Sequence, residues 1–305
     1  MSAPVLQSRA PLLGHTRRVS SVALTADGGR LLSGSLDRSL RVWDVAGGVC
    51  GQVLAGETSD VNAAALSPDG RVAVSGSGEM TLKAGLARVW DVAAGKPLRE
   101  LAGHEGEVSA VALDARRGRV VSGSADDTVR IWELGSGRCL HVLKGHAGWV
   151  RTITFTPDGT RVVSGGMDGT VRVWDAAAGS LLRTLGGLTD KIYAVATSPD
   201  GRWVLSGAKS HELRLWDLDS GECTRVLEGH DGVVRGVAFL PDGRWALSAA
   251  EDKTVRLWEV ETGRCAATEV TSGAALCLAV SADGRRVAVG TYDRKIFVWE
   301  LSRPA

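Results

Sequence analysis

Apolar and polar residues alternate over short runs along the whole chain, and this period of two predicts β-strands. Residues 150–155 are VRTITF, residues 161–164 are RVVS and residues 170–173 are TVRV. β-Branched residues are frequent in these runs, and no segment shows the 3.6-residue period of a helix. The triplet Pro-Asp-Gly separates the first two runs at 157–159, and it predicts a turn because proline presets φ and glycine accepts positive φ.

Groups of strands like these three recur along the chain, and the third strand of each group ends in a tryptophan followed by an acidic residue. The chain has 10 Trp but only 2 Tyr and 3 Phe, and this bias indicates a repeat. The successive intervals between the pairs are 47, 42, 42, 42, 42 and 41 residues. The seven pairs are Trp43-Asp44, Trp90-Asp91, Trp132-Glu133, Trp174-Asp175, Trp216-Asp217, Trp258-Glu259 and Trp299-Glu300.

Four short strands in each period of about 42 residues resemble the WD-repeat β-propeller family. The Gly-His signature of that family occurs four times, each with its histidine 28 residues before the tryptophan: Gly14-His15, Gly103-His104, Gly145-His146 and Gly229-His230. The resemblance covers nearly the whole chain. It implies an all-β, seven-bladed propeller of four-stranded antiparallel blades that occupies residues 1–305 as one domain, with repeats ending near 44, 91, 133, 175, 217, 259 and 300.

The final repeat stops after its third strand, at residues 300–301, whereas residues 5–13 precede the first Gly-His as a fourth strand would. A propeller ring is stable only when every blade has two neighbours. The resemblance therefore implies that the N-terminal segment supplies the last strand of the last blade.

The resemblance also implies a buried hydrogen-bonded tetrad of His, Ser, Asp and Trp in each complete repeat. Such a set suggests nucleophilic catalysis as an alternative. A catalytic site occurs once, however, while this set recurs at constant spacing, so we interpret it as structural. The four sets are His15/Ser33/Asp37/Trp43, His104/Ser122/Asp126/Trp132, His146/Ser164/Asp168/Trp174 and His230/Ser248/Asp252/Trp258.

Repeats two, five and seven depart from the tetrad pattern, and we expect their blades to be less stable. Repeat two has Glu57 at the histidine position and about five extra residues within 78–85, where Met80 and Leu82 are candidates for an added contact. Repeat five has Leu188 at the histidine position and Ser210 at the aspartate position, and repeat seven has Thr271 at the histidine position and Val289 at the serine position.

Composition and charge exclude several functions. A net charge of +1 disfavours nucleic-acid binding, and the absence of a long apolar run predicts a cytoplasmic protein with no membrane partner. There is no phosphate-binding glycine loop, so we predict no cofactor. We also predict reduced thiols and no metal site, because no Cys-x-x-Cys occurs among Cys50, Cys139, Cys223, Cys265 and Cys277.

The resemblance implies that three positions in each repeat point to one face around the central channel. These are the residues before and after the first apolar residue of strand one, and the residue before the turn aspartate. Aromatic and cationic residues, which often dominate interfaces, collect there in blades four to seven. The predicted partner-binding residues are Trp149, Arg151, Met167, Lys191, Tyr193, Lys209, Arg235 and Tyr292.

The sequence therefore predicts a non-enzymatic scaffold that docks a protein or peptide with acidic and apolar residues. The alternative for this surface is that Trp149 covers a blade edge and the charges are solvated. Two alternative functions also stay open: a ligand- or partner-sensing domain of a larger bacterial signalling protein, and an enzyme with a site at the channel mouth. Trp203 and Trp245 could mark a second contact surface, or lie between blades.

Overall fold

Seven antiparallel sheets of four strands follow one another along the chain, and each sheet is a blade. The structure is a computed structural model that describes residues 3–79, 84–186 and 190–302. Met80, Leu82 and Leu188, on which three sequence expectations rest, lie outside these described residues. The seven-bladed, all-β architecture expected from the repeat is confirmed.

In chain order the strands are β1 (Val5–Ser8), β2 (Val19–Leu24), β3 (Arg30–Ser35), β4 (Leu40–Asp44), β5 (Val49–Leu54), β6 (Val61–Leu66), β7 (Val72–Ser77), β8 (Leu86–Asp91), β9 (Lys96–Leu101), β10 (Val108–Asp114), β11 (Arg119–Ser124), β12 (Thr128–Glu133), β13 (Cys139–Lys144), β14 (Val150–Phe155), β15 (Arg161–Gly166), β16 (Val171–Asp175), β17 (Leu181–Leu185), β18 (Ile192–Thr197), β19 (Trp203–Ala208), β20 (Leu213–Asp217), β21 (Cys223–Leu227), β22 (Val234–Phe239), β23 (Trp245–Ala250), β24 (Thr254–Glu259), β25 (Cys265–Val270), β26 (Ala275–Val280), β27 (Arg286–Thr291) and β28 (Ile296–Ser302). Blades one to six each take four consecutive strands, starting from β2.

The N-terminal strand closes the ring, as the sequence predicts. Blade seven has the order β1-β28-β27-β26, so β1 is its outermost strand. Val5 pairs with Ser302 at one end of β1, and Leu12 exchanges two backbone hydrogen bonds with Ile296 beyond the other end. This clasp gives blade seven its fourth strand and leaves no blade at the end of a row.

The hydrophobic core is divided among the seven junctions between blades. Each junction contains one buried cluster that combines residues of two neighbouring blades, and each cluster includes one of the repeated tryptophans. All seven of these indole rings are at most 2% exposed. A single blade therefore cannot bury its two faces alone, and stability depends on the closed ring.

The first strands of the seven blades surround the channel. Each of these inner strands packs against the inner strand of the next blade, and β26 packs against β2 to complete the circle. Because strands alternate direction, the loops that enter the inner strands and the turns between second and third strands lie on one face. The turns between first and second strands lie on the opposite face.

Candidate docking site at the channel mouth

A β-bulge interrupts the pairing of every inner strand one residue after its first buried residue. In blade four, for example, the register shifts between Val150 and Thr152, so that Arg151 is the extra residue. A bulge redirects its extra side chain and bends the strand. All seven extra residues line the channel cavity: Ser20, Asn62, Ser109, Arg151, Tyr193, Arg235 and Leu276.

The channel cavity has a volume of about 610 Å³ and is polar at its mouth. Further along the inner strands its wall is formed by small and aliphatic side chains such as Ala64, Ala110 and Val237. The hydroxyls of Ser20 and Ser109 donate hydrogen bonds to backbone carbonyls of the next blade, so they join blades rather than face a ligand. The charged and aromatic side chains at the mouth are the groups left for recognition.

Backbone hydrogen bonds bring together the other two positions predicted to face the channel, which are the residue before the inner strand and the residue before the turn aspartate. In every blade the residue before the inner strand accepts a backbone hydrogen bond from the residue before the turn aspartate or its equivalent. In blade four Met167 donates to Trp149 at 2.8 Å, and in blade five Lys209 donates to Lys191 at 2.9 Å. In blade two Gly78 donates to Asp60 at 3.1 Å. Gly78 thus occupies in blade two the position equivalent to the residue before the turn aspartate, and the constant separation of 18 residues from the residue before the inner strand would have identified it.

One arginine at the mouth is firmly held. Two nitrogens of Arg235, Nε and Nη2, donate to one carboxylate oxygen of Glu251, with the Nε bond at 2.8 Å. The guanidinium carbon of Arg235 also lies 4.1 Å from the centre of the Tyr193 ring. Cation–π attraction and the charge-assisted bonds fix both side chains, so they form a rigid aromatic and cationic wall.

A second arginine at the mouth is held more loosely. Nη1 of Arg151 lies 3.7 Å from Oε1 of Glu107, which is too long for a hydrogen bond, and the guanidinium is 6.0 Å from the Tyr193 ring centre. Burial raises the pKa of Glu107, although Arg151 and Arg18 act in the opposite direction. Arg151 is therefore attracted to Glu107 without a hydrogen bond, and its guanidinium N–H groups have no acceptor among the described residues.

Two shallower cavities adjoin the channel on the same face. One, of about 490 Å³, spans blades one to four and is lined by Trp149, Arg151 and Glu107 among others. The other, of about 520 Å³, lies across blades seven, one and two and is lined by Tyr292 and Arg294, with four other residues. The recognition surface is therefore wider than the channel itself.

The structure brings five of the eight predicted binding residues to these cavities. Arg151, Tyr193, Arg235 and Tyr292 line the channel cavity, and Trp149 lines the cavity beside it. The other three predicted residues, Met167, Lys191 and Lys209, line none of the three cavities.

Several lining residues were not among the predicted eight. Arg18, Glu107 and Glu251 occupy the same repeat positions, so the spacing alone would have included them. Arg17 and Arg38 lie outside those positions, and only the fold brings them to the face.

The four His-Ser-Asp-Trp sets form closed hydrogen-bonded networks. In blade one, Nδ1 of His15 lies 2.8 Å from Asp37, Nε2 lies 2.7 Å from the Ser33 hydroxyl, and Trp43 donates to the same hydroxyl at 2.8 Å. Blades three, four and six repeat this arrangement around one serine each. The hydroxyl–Nε2 distances there are 2.7 Å for Ser122 and His104, 2.8 Å for Ser164 and His146, and 2.6 Å for Ser248 and His230.

The serines of these sets are inaccessible from the surface of the protein. Each of their hydroxyls also accepts a hydrogen bond from an indole at 2.8 Å, donated by Trp43, Trp132, Trp174 and Trp258 in turn. The alternative of nucleophilic catalysis by these hydroxyls has no support, because a substrate cannot reach them. The serines of the four sets are 0% exposed and line none of the three cavities: Ser33, Ser122, Ser164 and Ser248.

Blade two replaces the histidine with a buried ion pair. The Ser75 hydroxyl donates to Glu57, Arg88 donates to the other carboxylate oxygen of Glu57, and Trp90 donates to Ser75 at 2.8 Å. The side chain of Glu57 is fully buried. This departure from the repeat therefore keeps the indole hydrogen bond through a different acceptor network.

Blades five and seven show the other departures. In blade five Trp216 donates to Ser206 at 2.9 Å. In blade seven Val289 stands in place of the serine, and the buried Nε1 of Trp299 has no hydrogen-bond partner among the described residues. Blade seven is thus the blade in which the substitution leaves a buried donor unsatisfied.

Trp203 and Trp245 lie at the junctions between blades. Trp245 is only 3% exposed in the cluster between blades six and seven, and Trp203 packs partly against the cluster between blades five and six. Each also stacks with the preceding arginine, and the guanidinium of Arg202 lies 4.5 Å from the Trp203 ring centre. Of the two, only Trp203 is accessible enough to take part in a second contact surface.

Other chemistry-bearing groups do not form a site in the described ranges. No group of three or more His, Cys, Asp and Glu side chains there could hold a metal ion. The five cysteines are free thiols, and burial raises the pKa of Cys277, which borders the channel, to about 12. Residues 3–79, 84–186 and 190–302 include no helix long and apolar enough to span a membrane.

These features define a closed seven-bladed propeller whose repeats carry Trp-Asp or Trp-Glu pairs and a channel open to one face. Residues 149–304 match the family described as "IFT122 first beta-propeller", and residues 6–44, 48–91 and 95–133 match "WD domain, G-beta repeat". The chain belongs to the WD-repeat β-propellers, whose members generally serve as protein-interaction scaffolds. A search of curated proteins finds no match to the chain.

Proposed function

We propose that this protein is a non-enzymatic interaction scaffold that docks a peptide segment of a partner protein at its channel mouth. The observation that carries the proposal is the arrangement of Arg151, Tyr193 and Arg235 on consecutive inner strands around an open cavity of about 610 Å³. Tyr and Arg contribute strongly to binding because they bury large areas and pair with carboxylates. The docking surface extends over blades four to seven.

The chemistry of the cavity favours a segment with both acidic and apolar residues. Arg151 offers a guanidinium at the rim that makes no hydrogen bond among the described residues, while Ile153, Val195 and Val237 line the cavity further along their strands. A carboxylate of the ligand could pair with the arginine, and a neighbouring aliphatic side chain could enter the apolar part. Both interactions remove ligand surface from water at a preformed site.

The groups beside Glu107 support a binding role over an enzymatic one. Glu107 is the carboxyl group at the mouth with a raised pKa, as a general base would have. Arg151 and Arg18 act against this rise, however, and the nearby Ser109 hydroxyl donates to the Val150 carbonyl. The Cys277 thiol, with a pKa of about 12, is not a nucleophile near neutral pH.

The proposal is tested by selecting ligands from a random peptide-display library with the wild-type protein. The selected peptides are then measured against a Trp149→Ala/Arg151→Glu variant. A matched control, Arg202→Glu/Trp203→Ala, makes the same two changes at a stacked arginine and tryptophan on the opposite face. Circular dichroism and thermal unfolding establish that both variants fold.

The first variant should lose binding and the control should retain it. Equal binding by wild type and the first variant would contradict docking at the mouth. Loss of binding in the control alone would move the site to the opposite face, around Trp203.

A further inference from the structure

Arg18 stands where the three cavities of the docking face meet. It immediately precedes β2 and lines the channel cavity of about 610 Å³ and both adjoining cavities, of about 490 and 520 Å³. Its side chain is exposed. A ligand that enters the channel from either shallow cavity therefore passes this residue.

The guanidinium of Arg18 also has no directly paired counter-ion among the described residues. It makes no hydrogen bond and no ion pair there and acts on Glu107 only from a longer distance, whereas its neighbours on the same face are paired. Arg17 lies 3.2 Å from Asp60, and Arg38 lies 3.0 Å from Glu79. Of the three blade-one arginines on this face, Arg18 is therefore the one whose charge has no directly bonded partner among the described residues.

Blade seven continues this surface outward from the channel mouth. Tyr292 is 60% exposed, and Arg294, two residues later, lines the same 520 Å³ cavity as Arg18. The side chain of Arg294 makes no hydrogen bond or ion pair within the described ranges. Its φ is 72°, a region that glycine occupies at the equivalent Gly169 of blade four, so the turn itself does not require an arginine.

We infer that Arg18 is the anion anchor of the docking face, and that an acidic partner segment binds it with a carboxylate while crossing from the channel mouth to Tyr292 and Arg294. The inference rests on the proposed docking function and extends its footprint from blades four to seven onto blade one. It specifies a segment with at least two acidic residues, one for Arg18 and Arg151 at the mouth and one for Arg294.

Nearby carboxylates favour singly charged groups of this segment over a phosphate. Asp60 lines both shallow cavities, and Glu107 lines the channel and one of them. A phosphate dianion at Arg18 would be repelled by both acids, while a carboxylate would carry half of that charge. The free guanidiniums also stand singly on blades one and seven, which matches acidic side chains spaced along a peptide.

The experiment uses a peptide obtained by display selection on the wild-type protein and synthesised with its consensus residues. Its affinity is measured by titration calorimetry for wild type, Arg18→Ala, Arg18→Lys and Arg294→Ala. The matched control is Arg285→Ala, because Arg285 is an exposed arginine on the opposite face, in the turn between β26 and β27. The same titration is repeated with a phosphoserine at the acidic position of the peptide.

We expect an acidic consensus, and a loss of affinity of about tenfold or more in Arg18→Ala. A smaller loss is expected in Arg294→Ala, partial recovery in Arg18→Lys, and no change in Arg285→Ala. Thermal unfolding of Arg18→Ala should equal that of wild type, because the side chain has no described hydrogen bond or ion pair to lose.

Four results would overturn the inference, and they separate it from the proposed function. A consensus without acidic residues leaves docking in place and removes the anchor. The same conclusion follows if the affinity of the peptide is unchanged in Arg18→Ala but binding is lost in Trp149→Ala/Arg151→Glu. Binding at least tenfold tighter by the phosphoserine peptide replaces the carboxylate by phosphate. Failure to select any peptide contradicts the docking function and the anchor together.

Discussion

Ala249 of blade six and Ala275 of blade seven lie in one buried cluster, at positions where every other junction combines a glycine with a valine or isoleucine. A Cβ atom built on Gly123 would lie 2.6 Å from Cγ1 of Val150, and the five remaining junctions give 2.5–2.7 Å. The junction between blades six and seven thus adds a methyl on one side and shortens the side chain on the other. The added methyl group and the shorter side chain therefore offset each other in volume at this junction.

This pairing predicts that Gly123→Ala destabilises the fold by about 1–3 kcal/mol, because the new methyl overlaps Val150. In a Gly123→Ala/Val150→Ala variant the overlap is relieved, as it is at the alanine pair. The double variant should therefore be more stable than the sum of the single effects predicts, with a coupling of about 1 kcal/mol or more. Denaturant unfolding measures the stability of wild type, Gly123→Ala, Val150→Ala and the double variant. Strictly additive effects of the two substitutions would contradict the packing account.

The clasp predicts that alanine substitutions at two adjacent leucines will differ strongly in their effect on stability. Leu12 is 4% exposed and bonded to Ile296, whereas Leu13 is 64% exposed. Leu12→Ala should cost about 2–4 kcal/mol and ease opening of the ring, because it leaves a cavity beside the closing strand. Leu13→Ala should change stability by less than about 0.5 kcal/mol. Thermal unfolding compares the two, and equal effects would show that the clasp contributes little.

The tetrads predict that acid destabilises the protein in two stages. Burial lowers the pKa of His146 and His230 below the ordinary value of 6.5, so the unfolded state binds more protons and stability falls as pH decreases below about 6.5. Burial opposes ionisation of Asp37 and Asp126, but hydrogen bonds from histidine and hydroxyl groups outweigh it and lower their pKa below 3.8. The stability that these carboxylates provide is present above pH 3.8 and is lost as pH falls further.

Denaturant unfolding at a series of pH values measures both stages. Replacing both histidines, as His146→Asn/His230→Asn, should lower overall stability and reduce the loss between pH 7 and 5. An unchanged slope in that window would assign it to other groups.

The raised pKa of Glu107 beside Arg151 predicts how ligand binding depends on pH. Because burial raises its pKa, Glu107 loses its charge at a higher pH than the acids of a solvated peptide, and Arg151 then loses its counter-ion. An acidic peptide should therefore bind more tightly as pH falls from 7 to about 5, before its own carboxylates become protonated. Glu107→Gln should bind more tightly at pH 7 and show little change over this range. Weaker binding by that variant would mean that Glu107 accepts a bond from the ligand.

The architecture and the closing strand could be predicted from the sequence because they depend on periodic features. The seven Trp-acid pairs set the blade count, and the missing last strand had one candidate, at residues 5–13. The positions around the channel followed the same period, and the structure explains them by a bulge in every inner strand.

The distribution of charge at the mouth could not be predicted in the same way. Whether Arg151 or Arg235 is firmly held depends on acids of other elements, such as Glu107 on the neighbouring blade. The importance of Arg18 depends on the absence of a directly bonded partner among the described residues around it, which no repeat pattern encodes. Glu57 illustrates the same limit, since its buried bond to Arg88 joins residues 31 positions apart.

The most direct test of the account is a crystal structure of the protein bound to a display-selected peptide. The account predicts that the peptide lies over the channel mouth with one carboxylate within hydrogen-bonding distance of Arg18 or Arg151 and an apolar side chain directed into the cavity. A peptide added to an outer blade strand such as β17, or bound on the opposite face, would contradict docking at the channel mouth.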